Sequence, residues 1–171
     1  IESNLEECAR LERIIDSLLF LARAENPQLQ IERSPVDVAE ELACVSEFFE
    51  APAQEAGSGL LLECTGPVTA PLNRALFQRA VGNLVANALA HTPAGGTITL
   101  RVRADGNQVA VEVADTGSGI PADEIPHLCE RFYRADRSRT PASGGVGLGL
   151  AIVKSIAELH QGGIDIRSEV G

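Results

Sequence analysis

The first 24 residues carry apolar side chains at Cys8, Leu11, Ile15, Leu18 and Ala22, three or four positions apart, with Ile14, Leu19 and Leu21 beside them. This spacing predicts one helix with a seam for bundling, which the charged residues Glu6, Glu7, Arg10, Arg13 and Asp16 mostly avoid. Such a helix is unsatisfied alone in water and needs a partner helix from its own chain or another. Asn26-Pro27 ends it, because the residue before proline is pushed out of the helical region. The period then changes. Leu29-Gln30-Ile31-Glu32 alternates like a half-buried strand. Asp37 is placed to cap a helix containing Val38, Leu42, Val45 and Phe49, which Pro52 is expected to kink or shorten. Gly57 and Gly59 precede a short strand at Leu60-Leu61-Leu62.

A second amphipathic helix is predicted from about Leu72 to His91, closed by Thr92-Pro93 and the turn Gly95-Gly96. Two alternating segments follow, Thr97 to Ala104 and Gln108 to Ala114. Asp105-Gly106-Asn107 joins them, and an Asp-Gly pair between alternating runs is a strong hairpin signal. A polar stretch rich in Arg and Gly runs from about Tyr133 to Gly147. A last helix is expected at about Leu148 to His160, and a strand from Ile164. The mixed order predicts an α+β fold, a two-layer sandwich of a mixed sheet covered by helices, with the N-terminal bundle helix appended.

Composition narrows the function. With 24 acidic and 14 basic residues among 171, the net charge is -10. That argues against a duplex nucleic-acid binder, which would show a basic stripe, but leaves a phosphate ligand open. Cys8, Cys44, Cys64 and Cys129 form no C-x-x-C pair and sit among apolar residues, so buried free thiols in a reducing compartment are expected. No apolar run approaches the roughly 18 residues that a membrane span needs.

Three separated segments carry chemistry. Asn83 and Asn87 lie four apart on one helix face, where their amide oxygens suit a hard cation such as Mg²⁺. Two amides are unexpected on a helix otherwise built of Val81, Leu84, Val85 and Leu89, and they mark a polar pocket; two surface asparagines are the plain alternative. Asp115-Thr116-Gly117-Ser118-Gly119-Ile120-Pro121 ends a strand. An Asp there can accept from an exocyclic amine while the glycines admit a flat ring, although the same residues also make an ordinary turn. Gly144 to Gly149 runs into a helix, presenting backbone N–H groups where the dipole favours an anion; a glycine-rich linker is the alternative. A Walker A loop fails on spacing, since Lys154-Ser155 lies within the predicted helix, and G-x-G-x-x-G is absent.

Taken in order, N-x-x-x-N-A, then D-x-G-x-G-I, then a glycine run before a helix resembles the Bergerat-type ATPase pattern. More closely, Asn83 to Pro93, Asp115 to Pro121, Glu130 to Asp136 and Gly147 to Lys154 resemble the N, G1, F and G2 boxes of bacterial sensor histidine kinases. The likeness covers most of residues 28–171, the catalytic ATP-binding domain. Residues 1–25, ending Leu18-Leu-Phe-Leu-Ala-Arg-Ala-Glu25, resemble the second helix of that family's dimerisation and phosphotransfer hairpin.

The resemblance implies roles residue by residue. Asp115 would bind the adenine amine of ATP, with Gly117, Gly119 and Ile120 lining the ring and His91 packing beside it. Asn87 would hold Mg²⁺, with Asn83 on the phosphate side. Phe132 to Gly147 would form a lid, with Arg134 a phosphate contact. Gly145, Gly147, Leu148 and Gly149 would line the hinge and donate to phosphate. The implied reaction moves the γ-phosphoryl group of ATP to a histidine, then to an aspartate of a response regulator, in a dimer built through the N-terminal helix and held in the inner membrane by segments outside this sequence.

Three departures qualify this. The acceptor motif H-[ED]-x-[RK]-[ST]-P is not at His91, His127 or His160 and is expected before residue 1; His127 and His160 read as surface residues. Ala90 stands where the family often has a basic residue. The family's closing strand is expected after Gly171. A nucleotide-binding regulatory module without phosphotransfer is the competing reading, and a serine-kinase anti-sigma factor a third. Phe48 to Ala51 and Glu130 to Arg134 resemble the copper and heavy-metal sensor subgroup.

Overall fold

The computed structural model describes residues 2–64, 66–134 and 146–170. The chain runs α1 (Glu2–Ala24), β1 (Ser34–Asp37), α2 (Val38–Glu55), β2 (Gly59–Cys64), β3 (Thr69–Leu72), α3 (Arg74–His91), β4 (Thr97–Asp105), β5 (Gln108–Asp115), a short 3-10 turn (Ile125–His127) and α4 (Gly149–Leu159). The α+β expectation holds.

Strands β2, β4 and β5 form a mixed sheet in that order. β2 runs parallel to β4 with Leu60 opposite Ile98, and β4 returns antiparallel into β5 across the two-residue loop Gly106-Asn107. Alternation along β4 buries Ile98, Leu100 and Val102. Leu100 and Val102 meet Val38, Leu42 and Val45 of α2 and Val81 and Val85 of α3 in one core. On the other face Glu63, Arg101 and Glu112 stand opposite one another across the three strands. Arg101 Nε lies 2.6 Å from Glu63 and its NH1 2.6 Å from Glu112. Hydrogen bonds to the two carboxylates raise the guanidinium pKa further.

Asp37 caps α2 as expected, its Oδ1 accepting from the amides of Ala39 at 2.9 Å and Glu40 at 3.4 Å. Helix α2 nevertheless continues past Pro52 to Glu55. Pro52 falls in the last turn, where it removes only the bond to the Phe48 carbonyl. Phe48 is 76% exposed, so water can replace that bond.

Other expectations need correction. Residues 29–32 form no strand; the strand starts at Ser34 and pairs antiparallel with β3, Asp37 opposite Thr69. Leu29 is exposed in the connection from α1, where its amide turns back to the Asn26 carbonyl at 3.0 Å instead of meeting a neighbouring strand. Leu72 belongs to β3, and α3 begins one residue later than its cap Asn73, whose Oδ1 accepts from Leu76 N at 3.1 Å. Ile164 to Val170 form no strand either. The cysteines are free but not buried: Cys8, Cys44 and Cys64 are exposed and Cys129 is half-buried. Cys8 shares the open side of α1, and Cys64 ends the outer strand of the sheet, so apolar sequence neighbours did not bring burial.

Glu41 is the one carboxylate among the described residues that is fully buried. Arg74 Nε at 2.8 Å and Gln78 Nε2 at 2.7 Å satisfy it, tying α2 to α3.

The seam of α1 finds its partner at one end. Leu21 packs with Leu148, Ala151, Ile152 and Ile156 in a second core, flanked by Ile14, Leu18, Leu76 and Ala80. Leu5, Leu11, Ile15 and Leu19 stay exposed. Arg79 of α3 lies over the Phe20 ring at 4.5 Å, and burial lowers its pKa while Asp16 partly opposes this. Leu21→Ala should therefore destabilise the chain by about 2–5 kcal/mol, and Phe48→Ala by less than about 1 kcal/mol. Urea unfolding checks this; equal losses for the two would mean that α1 does not dock in solution.

Candidate functional site

Helix α3 carries Leu76, Ala80, Asn83 and Asn87 at steps of four, three and four, so they form one stripe. Its first half is apolar and packs on the second core; its second half is amide. The stripe changes character where α4 begins. Asn83 Nδ2 donates to the Arg79 carbonyl at 2.8 Å, which turns Oδ1 toward α4. A Cβ added at Gly149 would stand 3.3 Å from that oxygen. Asn87 is exposed, and its side chain makes no hydrogen bond among the described residues.

The turn before α4 is fixed by backbone. Phe132 N donates to the Gly147 carbonyl at 2.8 Å. Gly147 has φ +78°, and a Cβ there would come within 2.7 Å of the Tyr133 carbonyl, so only glycine fits. Phe132 itself has φ +64° and is exposed. Such a conformation in a bulky residue is a strained one, held here by the Gly147 bond. Leu148 follows, buried in the second core, and its carbonyl accepts from Ile152 N. The N-terminus of α4 has no side-chain cap among the described residues, and its first N–H groups stand beside Asn83.

Asp115 closes β5 opposite Ile98. Its Oδ1 accepts from Gly117 N at 2.8 Å, which fixes the carboxylate and leaves the second oxygen exposed. Thr116 bonds back to Thr97 through both its amide and its hydroxyl, pinning the turn to β4. The exposed His91 ends α3 with its carbonyl alongside Gly117. Gly119 has φ +72°, and the Glu169 carbonyl occupies the space a Cβ would need. Ile120 N donates to Ser168 Oγ at 2.9 Å. The C-terminal segment thus crosses the Asp115–Pro121 turn instead of pairing with the sheet.

The structure therefore groups Asn83 with Gly149, Phe132 with Gly147 and Leu148, and His91 with Asp115 and Gly117. Arg134 is half-buried and makes no ion pair among the described residues. Gly144, Gly145 and most of the expected lid lie outside the described residues.

Sequence reasoning missed two features. The first is a polar cluster between Glu124 and Tyr133. Tyr133 donates its hydroxyl to Glu124, a hydrogen bond that pushes the phenol up to about 12. The His127 ring lies 5.5 Å from the Tyr133 ring, and its Nδ1 bonds Glu130 at 2.7 Å. That bond and the Glu130 charge raise the His127 pKa. Aromatic and acidic residues at three-residue spacing were visible, but not their closure into a cluster. The second is His160. It is half-buried and bonded at both ring nitrogens rather than lying free on the surface.

Residues 73–171 match the family model described as histidine kinase-, DNA gyrase B- and HSP90-like ATPase. The chain belongs to that family. Among curated proteins it is similar to sensor protein IrlS of Burkholderia pseudomallei, 39% identical over 169 residues, covering 99% of this chain and 36% of the relative. Sensor histidine kinase CusS of Escherichia coli K12 is 40% identical over 169 residues, covering 98% of this chain and 35% of CusS. The chain thus spans about a third of the length of these relatives. Among solved structures, full-length ShkA in complex with AMPPNP superposes with a TM-score of 0.79 at 28% identity, covering 90% of this chain and 32% of ShkA. The mycobacterial sensor histidine kinase MprB gives 0.67 at 30% identity, covering 75% and 82%.

Because His127 is raised in the folded chain, its pairing with Glu130 is fully present below the ordinary imidazole range and is lost as pH rises through the raised value. In an NMR titration the His127 midpoint should lie above that in Glu130→Gln. Identical midpoints would show that the pair does not form.

Proposed function

We propose that this chain is the ATP-binding catalytic part of a sensor histidine kinase, moving the γ-phosphoryl group of ATP to a histidine for relay to a response-regulator aspartate. The observation that carries the reading is the meeting of the Asn83–Asn87 stripe with the uncapped N-terminus of α4 at Gly149. Oxygen ligands and free N–H groups there face one another, as a polyphosphate and its cation need.

Asp115 is fixed at one oxygen by Gly117 and offers the other to the adenine amine, with Gly119, Ile120 and His91 around the ring. Asn87 fits Mg²⁺: its amide oxygen is hard and exposed, and Mg²⁺ takes few protein ligands alongside water and phosphate oxygens. No cluster of three or more His, Cys, Asp or Glu able to hold a metal occurs among the described residues. Asn83, Arg134, Gly145 and Gly147 to Gly149 serve the phosphate end, where positioning and charge neutralisation do most of the work.

Residues 1–25 form part of the dimerisation hairpin in this reading and residues 28–171 the catalytic domain. The exposed Leu5, Leu11, Ile15 and Leu19 supply the surface for a second copy. The same proposal covers a cytoplasmic position below a bacterial inner membrane and membership of the copper and heavy-metal sensor subgroup. No helix among the described residues is long and apolar enough to cross a membrane.

Asp115→Asn should weaken ATP binding at least about tenfold, because the amide loses the charge that strengthens its acceptor bond. Calorimetry checks this, and unchanged affinity would mean that adenine is read elsewhere. Incubated with labelled ATP, the chain should phosphorylate a separate hairpin carrying the histidine motif and not itself. Nucleotide binding with no transfer to the hairpin would overturn the kinase reading, and acid-labile label on this chain would show that it carries an acceptor histidine of its own.

A further inference from the structure

Helices α3 and α4 run antiparallel, and their two ends meet differently. At one end Asn83 touches Gly149, the nucleotide side. At the other, about ten residues and therefore about 15 Å away along each helix, His160 meets Asn73.

The His160 contact is specific. Its Nε2 accepts from the backbone N–H of Asn73 at 3.0 Å, and its Nδ1 lies 2.8 Å from the Ile156 carbonyl. A backbone N–H can only donate and a carbonyl can only accept, so the ring is neutral with its proton on Nδ1. The Asn73 N–H precedes the helix and has no helical acceptor; His160 supplies one.

Both partners are held on other sides. Asn73 Oδ1 caps Leu76, its Nδ2 donates to the Glu32 carbonyl at 3.1 Å, and its own carbonyl accepts from Phe77. His160 is the last-turn cap of α4, fixed by Gln161 N to Glu158 and Gly162 N to Ala157. Gln161 takes φ +63° there, a position that usually falls to glycine. Arg33 of the connection from α1 reaches the His160 carbonyl at 3.5 Å. The imidazole is therefore a polar joint between two rigid ends, beside the packing of Leu76 on α4.

We propose that His160 is a positioning residue for the nucleotide site: its neutral ring ties the end of α4 to the start of α3, and so sets how Asn83 and Asn87 meet the Gly147–Gly149 turn. This rests on the reading of that stripe as the phosphate end.

The test is ATP–Mg²⁺ binding to the chain carrying His160→Ala or His160→Gln. Gln keeps an acceptor near the Nε2 position. Ala should weaken binding about fivefold or more, and Gln should stay within about twofold of the natural residue. Gln as poor as Ala, or Ala as good as the natural residue, would overturn the proposal. Asn87→Ala in the same titration separates the two claims, because unchanged affinity there refutes the phosphate-end reading whatever His160 does. A nitrogen–proton spectrum of the His160 ring, independent of nucleotide, should show the Nδ1–H tautomer; a proton on Nε2 would refute the joint itself.

Discussion

Helix α3 has to bury two different faces at once, and the site follows from how it does so. Val81, Val85 and Ala88 go down onto the sheet. Leu76 and Ala80 go sideways against α4 and α1. The sideways stripe cannot remain apolar along the whole helix, because α4 begins beside Asn83 and the chain leading into it is a turn with open N–H groups. Amides suit that open, polar end of the stripe, where leucines would have no apolar neighbour to pack against. The helix is packed where α4 covers it and polar where α4 has not yet started.

The same logic explains why the turn before α4 is held by backbone rather than side chain. Gly147 and Phe132 exchange a main-chain bond in conformations that few residues adopt, and Leu148 immediately anchors the chain in the second core. Three consecutive residues thus supply a turn, an anchor and a helix start. Asp115 is treated alike at the other side of the site: β5 delivers it, Thr116 pins it to β4, and Gly117 fixes one of its oxygens. Rigid elements place the groups, and short turns aim them.

Much of this was legible in the residues. Periodicity placed α1, α3, α4 and the β4–β5 hairpin, because each buries one repeating stripe. The Asn, Asp and glycine segments were found because their residue types are costly where nothing uses them. What was not legible depends on contacts between distant parts of the chain. Leu29 to Glu32 has the strand pattern but no neighbouring strand, whereas Ser34 to Asp37 has a weak pattern and finds β3. Apolar neighbours in sequence did not bury Cys8, Cys44 or Cys64, since burial is decided by which side of an element faces inward. His160 looked like a surface residue because its value lies in an acceptor for an amide 87 residues away.

The second core has a thermodynamic consequence. Leu21 of α1 and Leu148 of the hinge share one set of neighbours, and Arg79 bonds both the Phe20 ring on one side and, through its carbonyl, Asn83 on the other. Anything that displaces α1 therefore works against the same packing that holds the turn before α4. By reciprocity, a ligand that favours one arrangement of the turn must bias α1 by an equal free energy. The helix at the start of the chain and the turn before α4 are two handles on one equilibrium.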